Sequence, residues 1–141
     1  MRSFPFVAVL LISMSAPAGA ADLISPAPVT EADVYAACAS DNALARIQRI
    51  FAHAEETLWH RGFVIDSIDN PRPSGHPYAE PGLVRRDYCM ADTLMSNGAA
   101  YPVFYVIEHQ LGFVGIGSEV DHCILGLDPW RVHDGGCRTV R

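Results

Sequence analysis

The dipeptide Asn97-Gly98 stands between two strand-like runs in LVRRDYCMADTLMSNGAAYPVFYVIEH, residues 83–109. Asn-Gly is the strongest two-residue hairpin signal, because both central positions of a type I′ turn need positive φ and these two residues reach it at low cost. Such a turn opposes Ser96 to Ala99. It then pairs Leu94 with Tyr101, Met90 with Tyr105 and Tyr88 with Ile107 on one face. Cys89, Ala91 and Thr93 share the other face with Val106, Phe104 and Pro102. Large apolar residues meet across the strands, so pattern and turn agree on one register, and a one-residue slip would exchange the faces. Pro102 lacks an N–H, so its strand is expected to be an edge at that point, or bulged.

Helical patterns precede the hairpin. Thr30 is a good N-cap, and Asp33 three residues on resembles a capping box. Val34, Tyr35 and Cys38 are expected on one face of that helix. Ser40 can cap a second helix, on which Leu44, Ile47, Ile50, Phe51, Ala54 and Leu58 recur at three- and four-residue steps. At 100° per residue they form a stripe about 80° wide. Gly62 suits the C′ position, with Arg61 in the last turn beside the negative end of the helix dipole.

Other segments are less sharply patterned. Residues 63–69 have the β-branched content of a strand. Residues 70–82, NPRPSGHPYAEPG, hold four prolines and two glycines and read as a long loop, either functional or a proline-stiffened connection. Val120, Cys123, Ile124 and Leu127 fit the helix template, with Ser118 and Asp121 as its cap; a strand from Val120 to Leu127 is the alternative.

The first twenty residues have one basic side chain, Arg2, an apolar run from Phe6 to Met14, and small residues ending in Ala18 and Ala20. This is the layout of a secretory signal peptide cut before Ala21. The run is too short for a membrane span, which needs about 20 residues. The remaining residues 21–141 suit a single domain with no further transmembrane span. Export to the periplasm or secretion is expected. Four cysteines remain, Cys38, Cys89, Cys123 and Cys137. An even count in an exported chain reads as two disulfides, and no C-x-x-C suggests zinc. Three pairings are possible. The short, turn-rich loop between them favours Cys123–Cys137, leaving Cys38–Cys89 to tie the first helix to the sheet.

All ten basic residues are arginine and the net charge is −6. An acidic chain without a basic stripe argues against nucleic acid and against anionic lipid as partners. The densest cluster of chemistry-bearing residues is HAEETLWH, residues 53–60. His53, Glu56 and His60 share the helix face opposite the apolar stripe. However, His53 and His60 stand roughly 10.5 Å apart along the axis, and the zinc-protease order H-E-x-x-H is absent. The expectation is a solvated charged face with no metal or cofactor. Asp121-His122 and Glu108-His109 are sequence neighbours whose side chains point apart. No nucleophile elbow or phosphate-binding loop occurs, and no catalytic residue is assigned. Trp59 and Trp130 are expected to pack in or at the edge of the core.

The segment RRDYCMADTLMSNGAAYPVFYVIEHQLGFVGIG, followed by VDHCILGLD and Cys137-Arg138, resembles a group of small exported alphaproteobacterial proteins of unknown function. That resemblance covers roughly the C-terminal half and implies a bacterial exported protein, with no activity attached.

The expected fold is α+β. Two N-terminal helices pack on a small, mostly antiparallel sheet, and disulfides tie the C-terminal segment. The expected function is a non-enzymatic binding module of the bacterial envelope, with a protein or peptide as partner. Small-molecule binding by the 70–82 loop, or a small hydrolase built from His, Asp and Glu, are the alternatives.

Overall fold

A computed structural model describes residues 28–75, 84–111 and 117–141. The expected signal peptide and residues 76–82 of the proline-rich loop, His76 included, lie outside these. Helices α1 (Glu31–Cys38) and α2 (Asp41–Ala54) lead into a π turn (Glu55–Trp59). Strands β1 (Ile65–Pro73), β2 (Arg86–Met95), β3 (Ala100–His109) and β4 (Ser118–Ile124) follow. The strands form one antiparallel sheet in the order β1-β2-β3-β4. The architecture is α+β, although the helices start at Glu31 and not at the chain's N-terminus.

Thr30 and Asp33 close a reciprocal capping box on α1. Val34 and Cys38 are buried while Tyr35 is exposed: Val34 and Cys38 stand about 40° apart around the helix, whereas Tyr35 lies about 100° from Val34. Ser40 is the N-cap of α2, but its side chain makes no capping hydrogen bond.

The apolar stripe of α2 departs from expectation at Ile50, which is exposed, and at its far end. Ala43, Ile47, Phe51 and Glu55 are buried, and Trp59 is partly buried against the same core, a run of four-residue steps. A 3.6-residue helix drifts about 40° at each such step. The π turn widens the last turn, with His60 N–H bonding Glu55 C=O, and so holds Trp59 on the core side. The Thr57 hydroxyl donates to the His53 carbonyl in that turn. Leu58, expected in the stripe, is therefore exposed, and the chain leaves the helix through His60 at φ 53°.

The hairpin register differs from expectation by one residue. Cys89 pairs with Tyr105, Ala91 with Val103 and Leu94 with Ala100. Gly98 N–H bonds the Met95 carbonyl and Met95 N–H bonds the Ala99 carbonyl, with positive φ at Gly98 but not at Asn97. This is a three-residue connection, a type I turn followed by a G1 bulge. Its Ser96 N–H is held by the Val64 carbonyl just before β1. A tertiary contact thus favours the longer turn. The slip puts Cys89, Ala91, Val103, Tyr105 and Ile107 together in the core under the helices. Phe104, Val106, Tyr88 and Met90 share the opposite face.

Two further expectations are corrected. Residues 118–124 form a strand, not a helix. Val120 and Ile124 pack under the helices, whereas Cys123 packs on the opposite face. Because β4 is covered on both sides, its apolar residues do not alternate and mimic helical spacing. Residues 70–73 belong to β1 and not to the loop. Their prolines are tolerated on an edge strand beside an irregularity between Asp69 and Arg72. Pro102 lies just past the last β3–β4 pair, Val103 with Ile124, where its missing N–H costs no ladder bond.

Disulfides Cys38–Cys89 and Cys123–Cys137 are formed. The first joins α1 to β2, and the buried Tyr105 hydroxyl donates to the Cys38 carbonyl at 2.6 Å beside it. The second pins the tail. Leu127 packs on the helix side of the sheet and Cys137 and Val140 on the other, so the tail passes around β4 and covers the second face. Two disulfides point to an oxidising, non-cytoplasmic compartment. Among the described residues, no helix is long and apolar enough to cross a membrane.

Candidate functional site

The HAEETLWH segment divides between surface and interior. His53, Glu56 and His60 are exposed. Among the described residues, no group of three or more His, Cys, Asp and Glu side chains is arranged to hold a metal. Glu55 turns inward and is 6% exposed. Its carboxylate accepts from the Arg61 amide at 3.0 Å and from Arg61 Nε at 2.9 Å, while Arg61 Nη1 donates to the Leu127 carbonyl. The guanidinium also lies 4.5 Å from the centre of the Trp59 ring. A buried carboxylate needs such a partner. This one anchors Trp59, and the tail at Leu127, at the end of α2.

Trp59 borders a cleft of about 190 Å³ between α2, β4 and the tail. Ile50, Phe51 and Ala54 form one wall, with His122 and Ile124 of β4 and Val132 and His133 of the tail opposite. Phe51 and Trp130 contact Trp59 edge-on, at centroid distances of 5.8 and 6.4 Å. Val132 and Trp130 are 65% and 61% exposed, so the apolar surface runs outward from the cleft. Trp59 Nε1 and His122 Nδ1 are buried behind its lining and find no hydrogen-bond partner within the protein. Burial pushes the His122 imidazole down to about 4, with Asp121 opposing and His133 reinforcing the shift. His122 is therefore neutral at pH 7. Asp121, on the rim, accepts the His122 N–H at 2.8 Å and lies 3.5 Å from His133 Nε2. His133 is held in turn by Thr139, and its amide donates to Asp128.

A second polar group closes the other end of the sheet, on the helix face. Arg85 grips Asp87 with two hydrogen bonds of 3.0 and 2.7 Å, and His109 Nε2 meets the same carboxylate at 2.7 Å. Asp87 is 3% exposed. An ionised carboxylate only accepts, so Nε2 carries the proton and Nδ1 faces Ser118 Oγ at 3.4 Å. General-base transfer works over roughly 2.6–3.2 Å. At 3.4 Å the His109–Ser118 contact lies just beyond that range, as such contacts often do without a bound substrate. Glu108, the neighbour of His109, instead pairs with Arg86 on the opposite face.

Sequence order did separate Asp121 from His122 and Glu108 from His109, as alternation on a strand requires. It did not bring His133 to Asp121, or Asp87 to His109. The Cys123–Cys137 link, 14 residues apart, is the one signal that the tail returns to β4. Another hollow, of about 270 Å³, lies between the start of α1 and Pro73, Gly75 and Tyr88. It borders the proline-rich segment.

Fold and clefts define a small, disulfide-bonded α+β domain with hollows at its surface. The chain matches no protein-family model, no curated protein and no solved structure.

Proposed function

We propose that this is an exported bacterial binding module, periplasmic or secreted, that holds an extended segment of a partner protein in the Trp59–His122 cleft. It would belong with the exported alphaproteobacterial proteins that its C-terminal half resembles. The observation carrying the proposal is the largely apolar cleft itself, walled by Ile50, Trp59 and Val132 and continued outward by exposed apolar surface. Covering exposed apolar surface is what a docked segment would do. The volume points the same way. A cavity of roughly 150 Å³ takes a benzene ring, so 190 Å³ accommodates one apolar side chain, below the roughly 300–1,000 Å³ of small-molecule sites. Exposed Trp130 and Val132 extend the contact. The carboxylate of Asp121 and the net charge of −6 favour a basic residue next to that side chain.

A displayed random peptide library, selected on the immobilised full chain, tests this. Enrichment of sequences with an apolar residue beside Lys or Arg is expected, with binding lost in Val132→Asp and weakened in Asp121→Asn. No enrichment, or enrichment insensitive to Val132→Asp, overturns it.

A further inference from the structure

The His109 end of the molecule holds a second, independent hollow. It lies where the α1–α2 connection meets the His109 and Ser118 end of the sheet, and measures about 430 Å³. Arg46 and Arg49 of α2 line it together with Ser40 and Asn42, while His109 and Ser118 form the facing wall. Among the described residues, no acidic side chain lines it. One terminal nitrogen of Arg46 pairs with exposed Glu119, yet its Nε is buried and finds no partner within the protein. Arg49 has no ion-pair partner among the described residues. The Ser40 hydroxyl is free of the helix cap. Two arginines with one carboxylate between them, in a chain of net charge −6, leave a local positive excess that attracts an anion.

We propose that this cavity binds a small organic anion that also carries a hydroxyl group. The Arg49 guanidinium forks onto carboxylate or phosphoryl oxygens, with the charge of Arg46 beside it. On the opposite wall, His109 is fixed by Asp87 and turns Nδ1 toward Ser118 Oγ. His109 Nδ1 and the Ser118 hydroxyl hydrogen-bond the ligand hydroxyl. Ile107 and Val120, also in the lining, cover the carbon skeleton. A volume of 430 Å³ falls within the roughly 300–1,000 Å³ of metabolite sites, and exceeds what an inorganic anion alone would fill.

Calorimetric titration of the full chain at constant ionic strength tests this with malate, succinate and glycerol 3-phosphate. Malate or glycerol 3-phosphate saturates the site, and which of the two does so identifies the anionic group. Succinate, which lacks the hydroxyl, binds more weakly than malate where malate binds. Arg49 is exposed, so Arg49→Gln leaves the fold intact and weakens binding at least about tenfold, as expected for a charged hydrogen bond. His109→Gln narrows the gap between malate and succinate. Saturation by none of the three, binding unchanged by Arg49→Gln, or equal affinity for malate and succinate overturns the proposal.

Discussion

Acidification from pH 6.5 to pH 4 is expected to destabilise the fold by about 3 kcal/mol through His122 alone. The unfolded imidazole titrates near 6.5, whereas burial lowers the folded one to about 4. Between these values the unfolded chain binds a proton that the folded chain does not. Stability therefore falls as the pH falls, and the loss is complete below about pH 4, where both forms are protonated. The gap is about 2.5 pH units at about 1.36 kcal/mol each. With a urea slope of about 1–3 kcal/mol/M, the midpoint drops by about 1–3 M. The exposed carboxylates do not confuse this window. Asp33 is held below its usual value by the Thr30 hydroxyl and amide, and Asp134 by the Gly135 amide and Arg138. Their contributions are present above 3.8 and are lost only as the pH falls further. His122→Asn keeps a hydrogen-bonding group in the cleft but takes no proton. Urea unfolding of both proteins at pH 7 and pH 4.5, with nuclear magnetic resonance titration of the His122 ring, measures the effect. The native profile should lose stability that the variant keeps, and the ring should stay neutral at pH 5. Parallel profiles, or a ring midpoint near 6.5, would refute the burial of a neutral imidazole.

Two other expectations concern the framework. Removing Cys38–Cys89, whose partners are 51 residues apart, costs about 4 kcal/mol of chain entropy, and removing Cys123–Cys137, 14 residues apart, about 3 kcal/mol. Paired Cys→Ala variants should therefore melt in that order below the native protein, and the reverse order would mean that tail anchoring outweighs loop length. Arg61→Met leaves the Glu55 carboxylate buried without its cation and should cost about 3 kcal/mol, the low end for a broken buried pair because Arg61 is a quarter exposed. Adding Glu55→Gln should recover part of that loss in chemical denaturation, and a single-variant cost below about 1 kcal/mol would show the pair to be screened by solvent.

Much of the fold was legible because it follows from local chemistry. The capping box of α1 rests on residues three apart, and the stripe through Ile47 and Phe51 on helical periodicity. The strands of the hairpin follow from β-branched and aromatic runs around a turn signal. The disulfide pairing was narrowed by a single short, turn-rich loop. The binding clefts were much less visible. Trp59, His122, Val132 and His133 are spread over more than seventy residues, and nothing in their own neighbourhoods marks them as a group. The cluster that did stand out, His53, Glu56 and His60, is solvent-facing: α2 turns His53 away from its buried stripe, while Glu56 lies on the outside of the π turn and His60 on the exit from it.

The amino-acid sequence by itself determined that there would be two helices, the first with its capping box, a hairpin and two covalent ties, because caps, periodicities and turn residues act within a few residues. The tertiary structure decided the rest. The Val64 carbonyl, by accepting the Ser96 N–H, favours a three-residue turn over a two-residue one and so chooses which faces of β2 and β3 are buried together. The core chooses a π turn to bring Trp59 inward in place of Leu58. The tail, passing around β4, covers both apolar faces of that strand and so removes the alternation by which it would have been recognised. In each case competing local conformations differ by about 1 kcal/mol or less, and a single long-range contact is enough to choose between them.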